Sequence, residues 1–438
     1  MSMGRGARQA ALEMLERCRR DGAWSGAGVD GVIKKYGLDG RDAALTSRLC
    51  LGVLENLGLC DFYIGCYCDK KLEPKLRDIL RLGVYQLLFM DKIPARAAVN
   101  ETVALCGDCG LGRASGLANA VLRRISENMG SLPEIPEPGT AKHLSVKYSH
   151  PQWLCEYLIQ HQGYAFTAGF LAANNSAPRL TVQTNRLRTD TASLAEIFTD
   201  AGLSFELCGA SDCIELEGGS AASLPGFDEG LFYVQDRAAR AAVSAAGPRP
   251  GMRVLDACSS PGGKAFAAAM DMENRGEILC CDIHEKKLGL VRRGAERLGI
   301  DVITTKAMDA RAFDPAMEKS FDIVIADVPC SGLGVIRKKP EIRYKTWDEI
   351  SALPQIQREI LDNLSRYVRP GGVLLYSTCT VTEEENGDVV NGFLDGHGDF
   401  HAQGFELDGL SAPSGSYGFW PNVDGTDGFF VAKLRRKE

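Results

Sequence analysis

Val254-Leu-Asp-Ala-Cys-Ser-Ser-Pro-Gly-Gly-Lys264 is the stretch that decides the fold. Two apolar residues end in an acid, small residues and a Pro-Gly-Gly turn come next, and 265–270 then reads as helix. Strand, tight glycine turn and helix N-terminus is how an α/β protein brings backbone N–H groups up to a bound cofactor. The dinucleotide Gly-x-Gly-x-x-Gly pattern is absent, so a nicotinamide cofactor has no direct support. Taken alone, the stretch reads equally well as an ordinary strand-to-helix turn.

The residues around it continue the theme. Strand patterns at 253–257, 277–281, 302–305, 322–326 and 373–377 alternate with helical runs such as 285–298 and 350–367. That rhythm predicts a doubly wound, mostly parallel sheet. The late stretches 401–405 and 429–434 lack full crossover helices, which suits an antiparallel edge.

Ligands of such sheets bind beyond the carboxyl ends of the strands, so the residues just after each strand are candidate site residues. The first strand leads into Cys258, Ser259, Ser260, Pro261, Gly262, Gly263 and Lys264. The second ends in Asp282, where an acid suits ribose hydroxyls, and Asp309 comes after the third. The fourth gives Asp327-Val-Pro-Cys-Ser-Gly-Leu-Gly334 and the fifth Ser377-Thr-Cys-Thr380. One acid at a strand end is ordinarily a cap or turn residue. Five such features on one edge point to a site. Cys330 and Cys379 both fall on turns at that edge, so their thiols are expected to converge. A buried structural role is the commoner fate of cysteine. A thiolate beside a nucleoside-like cofactor instead suggests covalent activation of an otherwise inert carbon.

Ahead of this lies a different composition. Residues 5–130 show helical stripes throughout, such as Ala10, Ala11, Met14, Leu15 and Cys18, and an all-α bundle is expected. Ser131-Leu-Pro-Glu-Ile-Pro-Glu-Pro-Gly139 reads as a linker, because three prolines in nine residues cannot continue a helix. Strand and helix signals then suggest a small α+β module. The expected borders are a helical domain over 1–130, a linker over 131–144, the α+β module over 145–234 and the α/β domain over 235–438. A chain of 438 residues, too long for one ordinary core, agrees with several domains.

The net charge of -7 argues against a wholly basic nucleic-acid coat, but local charge decides. Residues 1–130 hold 19 Lys+Arg against 15 Asp+Glu, whereas the remainder holds 31 against 42. The helical front is therefore the more electropositive region. Within it, Arg123 and Arg124 sit at the polar end of an apolar helix, where they suit phosphates or simply complement the helix dipole. The 15 scattered cysteines and a start without an apolar signal segment suggest reduced thiols in a cytoplasmic protein, and nothing reads as a membrane span. Cys106-Gly-Asp-Cys109 lacks a second pair or a nearby His, so neither it nor the six scattered histidines suggests a metal.

Three motifs match a family closely. Asp256-Ala-Cys-Ser-Ser-Pro-Gly-Gly-Lys264, Asp327-Val-Pro-Cys-Ser-Gly332 and Ser377-Thr-Cys379 resemble those of the Nop/Sun-type RNA cytosine-5 methyltransferases. The segments around 97–101 and 119–124 resemble the NusB-like domain that bacterial 16S ribosomal RNA methyltransferases of the Sun/Fmu type carry in front. The resemblance covers nearly the whole chain, including Gly425-Thr-Asp-Gly-Phe-Phe430 at the closing strand.

The resemblance implies a Rossmann-like methyltransferase domain behind a NusB-like bundle, S-adenosylmethionine as cofactor and 16S rRNA as partner. Neither DNA, a membrane nor an obligate protein partner is expected. It further implies that Cys258 to Lys264 cradle the cofactor, that Asp282 holds its ribose, and that Asp309 lies at its adenine. Asp327 would sit between cofactor and cytosine, Cys379 would be the nucleophile, and Cys330 would help product leave. Gln357 and Glu384-Glu-Asn386 also fit the family pattern. Arg337, Lys338 and Lys339, next to the Cys330 turn in sequence, suit backbone phosphates or form a solvated loop.

The departures are small: Ala265 where Thr is usual, Val328 for Ala, and lysines in the basic stretch after Ile336. Chemistry alone leaves open which cysteine attacks, since DNA cytosine-5 methyltransferases use a Pro-Cys motif. The resemblance favours Cys379. Two other functions remain in view: a tRNA cytosine-5 methyltransferase, and a non-catalytic ribosome-assembly factor on the same fold. Methyl transfer from labelled S-adenosylmethionine to unmodified rRNA would separate the latter.

Overall fold

The computed structural model describes residues 5–21, 25–208, 212–407 and 409–438. It has two compact units, Met1–Ser176 with Ile336–Thr346, and Ala177–Val335 with Trp347–Glu438.

The first unit is helical. Its helices are Arg5–Asp21, Ser25–Tyr36, Gly40–Glu55, Leu57–Tyr67, Pro74–Phe89, Ala95–Asp108 and Ser115–Glu127, and then Ala141–Tyr148, Gln152–Gln162 and Tyr164–Asn174. The apolar stripes meet as their spacing predicts: Ala11, Met14 and Leu15 share a buried core with Leu49, Val53, Leu80 and Val84. Proline-rich chain does not extend to residue 144. Helix Ala141–Tyr148 starts inside the stretch expected as linker, because Thr140 caps it by accepting from His143 N at 3.2 Å.

The last two helices of this unit, and the end of the one before, fall in the stretch read as one module over 145–234, yet they pack with the bundle. Polar ties explain the difference. Ser149 Oγ accepts from Leu59 N at 3.0 Å. Arg343, fully buried, donates to the Glu55 carbonyl at 2.6 Å and to Asn175 Oδ1 at 2.9 Å, with the Tyr148 carbonyl at 3.4 Å. One guanidinium thus meets the C-terminal ends of three helices, where carbonyls lack intrahelical partners and the dipole favours a cation. Trp153 Nε1 adds a bond to the Lys345 carbonyl at 3.1 Å. Ile336–Thr346 belongs to the helical unit through these contacts.

The second unit begins with a small antiparallel sheet. Strands β1 (Leu180–Thr184), β2 (Phe205–Leu207), β3 (Cys213–Leu216) and β4 (Phe232–Val234) lie in the order β2-β3-β1-β4. Helix Thr191–Asp200 covers one face, burying Leu194 and Phe198 against Val182, Ile214 and Phe232.

The larger sheet contains β5 (Arg253–Asp256), β6 (Glu277–Asp282), β7 (Ile303–Ala307), β8 (Phe321–Asp327), β9 (Val368–Thr378) and β10 (Phe400–Ala402). A two-stranded ribbon comes next, β11 (Phe405–Leu407) with β12 (Leu410–Ala412), then β13 (Ser416–Phe419) and β14 (Phe429–Arg436). The sheet order is β10-β14-β9-β8-β5-β6-β7, with β13 also on β14. β5 to β9 are parallel, and β14 runs antiparallel beside β9, so the late strands form the expected antiparallel edge. Both faces are covered. Val254, Ile323 and Leu375 enter one core, while Leu255, Val324 and Leu374 enter the other. The order of connection reverses between β8 and β5, the crevice where such sheets bind ligands.

Candidate active site

The turn after β5 is held by the backbone. Ala257 N donates to the Ile325 carbonyl of β8 at 3.0 Å, and Ser259 N to the Cys281 carbonyl of β6 at 2.8 Å. Gly262 closes the turn at φ 111, and a Cβ there would lie 2.6 Å from the Phe266 ring. Helix Gly263–Asp271 starts immediately, so its first N–H groups face the turn. Gln235 is buried with neither amide atom hydrogen-bonded, and its Nε2 lies 3.6 Å from where a Cβ of Gly263 would be. A helix start and an orphaned amide around a glycine turn fit the polar amino-acid end of S-adenosylmethionine. Cys258 lines the same turn, where burial pushes its thiol up. Ser260 Oγ makes a long bond to the Lys287 carbonyl at 3.4 Å, and Pro261 is exposed.

The neighbouring strands bring their acids to the same edge. Asp282 ends β6 and accepts from His284 N at 2.8 Å. Asp309 comes after β7 and pairs with Arg311 at 2.9 Å, and that hydrogen bond holds its carboxyl below the usual range. At the centre, Lys264 Nζ meets Asp327 Oδ2 at 2.7 Å, and Ser377 Oγ donates to the other oxygen at 2.8 Å. The Lys264 ammonium also lies 5.0 Å from the centre of the Phe429 ring. Behind them, burial and the charge of Asp327 push the Asp256 carboxyl up to about 7.

Cys330 and Cys379 converge. Their sulfurs are 2.8 Å apart, and Cys379 N donates to Cys330 Sγ at 3.3 Å. Both residues are half-buried. The hydrogen bond with Cys379, burial, and the charges of Cys379 and Glu385 all push the Cys330 thiol well up.

Around the sulfurs lies a shell of residues to which sequence reasoning gave no role. The Glu385 carboxylate, buried, accepts from Ser331 N at 2.8 Å, Gln357 Nε2 at 2.9 Å, Thr382 Oγ1 at 2.9 Å and Thr380 Oγ1 at 3.3 Å. Gln357 Nε2 also donates to the Pro329 carbonyl at 3.1 Å. Asn386 Oδ1 accepts from Thr378 Oγ1 at 2.6 Å, and its Nδ2 donates to the Thr380 carbonyl at 3.2 Å. Ser331 Oγ and Thr380 Oγ1 are 2.6 Å apart. Gly334 N reaches the Cys379 carbonyl at 3.0 Å, and Gly428 N the Gly334 carbonyl at 2.8 Å, an approach so close that neither glycine has room for a Cβ. The signal in the sequence is Glu384-Glu-Asn386, a pattern whose role appears only with the fold.

The basic candidates belong to the helical unit. Arg123 and Arg124 are exposed on helix Ser115–Glu127 of the helical unit, with the Arg124 guanidinium 5.5 Å from the Tyr67 ring centre. Arg337, Lys338 and Lys339 come after Cys330 in sequence, but their segment packs with the helical unit, where Arg343 anchors it. Lys338 and Lys339 are exposed there.

Comparison with known proteins assigns each part a relative. Residues 243–435 match the family described as 16S rRNA methyltransferase RsmB/F. Residues 5–127 match the NusB family, and 150–222 the ferredoxin-like domain of RsmF/B-like methyltransferases. A Bacillus subtilis (strain 168) protein named "Probable ribosomal RNA small subunit methyltransferase B" is 33% identical over 442 residues, covering 98% of each chain. The Erwinia tasmaniensis ribosomal RNA small subunit methyltransferase B is 33% identical, covering 90% of each. The crystal structure of PH0851 aligns with TM-score 0.82 at 25% identity over 100% of both chains.

Proposed function

Because this chain belongs to the ribosomal RNA small subunit methyltransferase B family, we propose that it methylates C5 of one cytosine in 16S rRNA through a covalent bond between Cys379 and C6. The observation that carries this reading is the pair of thiols 2.8 Å apart on the ligand edge of the sheet, beside the turn after β5. S-adenosylmethionine, when bound, supplies an electrophilic methyl group. Cys258 to Lys264 would hold it, with Asp282 at the ribose and Asp309 at the adenine.

Cytosine C5 is a poor nucleophile. Addition of the Cys379 thiolate to C6 moves the ring electrons toward C5, which then takes the methyl in line. Asp327, fixed by Lys264 and Ser377, accepts from the cytosine N4 amino group and orients the base, with the Lys264 ammonium beside it to offset the negative charge that develops on the ring. Transfer of the C5 proton to a solvent water acting as base restores the C5–C6 double bond, breaks the C6–S bond and returns Cys379 as the thiolate. Cys330, its sulfur 2.8 Å away, assists that release. The target base leaves its stack to reach the thiols, while Arg123, Arg124, Arg337, Lys338 and Lys339 meet RNA phosphates.

Cys379→Ala should lower turnover by about 10³-fold or more and form no covalent RNA adduct, as loss of a nucleophile predicts. Cys330→Ala should trap an adduct that survives a denaturing gel. The reverse pattern would overturn the assignment. Bisulfite sequencing of RNA from a deletion strain then names the nucleotide: one lost methylcytosine in 16S rRNA is expected, and a loss in tRNA alone would replace the substrate.

A further inference from the structure

We infer that Glu385 is a positioning residue for the release step: its carboxylate sets the Cys330 loop against Cys379. The inference deepens the covalent route proposed for this site and rests on it. Four donors converge on this one buried side chain, three from the two thiol loops and one, Gln357, from helix Leu353–Ser365. The division of those bonds is uneven. Toward Cys330, Glu385 takes the N–H of the very next residue, Ser331, and holds Gln357, which in turn holds the Pro329 carbonyl. Residues on both sides of Cys330 therefore depend on it. Toward Cys379 its bonds are the longer one to Thr380 and one to Thr382.

The Cys379 turn has a separate holder. Asn386 bonds Thr378 on one side and Thr380 on the other. Adjacent residues thus serve different thiols, Glu385 chiefly the helper and Asn386 the nucleophile. The Tyr376 hydroxyl donates to the Glu385 carbonyl at 2.6 Å and fixes the start of this pair. All four donors to the Glu385 carboxylate are neutral groups, so its charge is spread over neutral hydrogen bonds. Such a carboxylate is a rigid acceptor for several donors at once, which a neutral amide cannot be.

Glu385→Gln keeps the shape but turns one acceptor into a donor facing other donors. With the Cys330 loop loosened, attack by Cys379 continues and release lags. The variant should therefore accumulate covalent RNA adduct several-fold above wild type, as Cys330→Ala does. Turnover should fall about 10- to 100-fold, the range for losing hydrogen bonds to a charged acceptor. S-adenosylhomocysteine affinity, measured by calorimetry, should stay at the wild-type value. Asn386→Ala should lower turnover without adduct.

Wild-type adduct levels in Glu385→Gln, with cofactor affinity intact, would overturn the inference. If Cys330→Ala itself traps nothing, the covalent reading fails instead, and the two failures are told apart. Should Glu385→Gln also lose S-adenosylhomocysteine binding, Thr382→Val carries the test. It removes one donor and no charge; adduct above wild type supports the role, and adduct at the wild-type level refutes it.

Discussion

The turn after β5 and the paired loops after β8 and β9 share one sheet edge but are held by different means. The turn is shaped by main chain: N–H groups of Ala257 and Ser259 pair with flanking strands, and Gly262 adopts a φ of 111. The thiol loops are shaped by side chains, with Glu385, Gln357, Asn386, Ser331 and Thr380 joined around two sulfurs. A turn proposed to cradle a cofactor must leave room for a large ligand, so small residues and backbone donors suit it. Two sulfurs proposed to act on one base need fixed spacing, and a buried polar network adds rigidity.

The largest effect expected from this contrast is at Gly262. Gly262→Ala puts a Cβ against the Phe266 ring and into a φ that L-residues avoid. S-adenosylhomocysteine affinity should drop about 100-fold, since such strain is worth about 1–3 kcal/mol before the clash is counted. Unchanged affinity by calorimetry would break the view that backbone shape makes the cradle.

A smaller effect is expected in the other region. Thr380→Val removes the hydroxyl shared with Ser331 and Glu385 while keeping the shape. Single-turnover methylation should slow by about 10-fold, with cofactor affinity unchanged, because a buried partner is left unsatisfied. Loss of cofactor affinity instead would show that the two regions are not separable.

The smallest effect concerns Asp256, which lies behind both regions. Its folded carboxyl titrates at about 7, against about 4 in an unfolded chain. Between those values the folded state holds a proton that the unfolded state has lost. Its contribution is therefore present at low pH and is lost as pH rises toward 7. Asp256→Asn should melt a few degrees higher than wild type at pH ~8 and close to it at pH ~4, by calorimetric scans. Equal shifts at both pH values would place the buried charge elsewhere.

Much of this architecture is legible in the residues. The stripes of the helical front, the alternation of the α/β region and the antiparallel closing strands all reflect local periodicity, and all appear in the fold. The strand-end residues are legible because parallel strands deliver their carboxyl ends to one side. Less legible are the borders between units. The helices up to Asn174 carry no local sign that they pack with the bundle, since that depends on Arg343, far later in the chain. Thr140 is a readable cap for helix Ala141–Tyr148, but the prolines before it mask the signal.

By itself, the sequence determined that a strand, a glycine turn and a helix meet at 254–264, and that two cysteines come after later strands. Those are consequences of local pattern and of the parallel order. Only the tertiary structure decided that the sulfurs stand 2.8 Å apart, that the buried carboxylate of Glu385 braces their loops, and that the chain after Val335 packs with the helical unit. Each of these depends on groups distant in sequence meeting in a buried place, and burial is a property that no local window of residues contains.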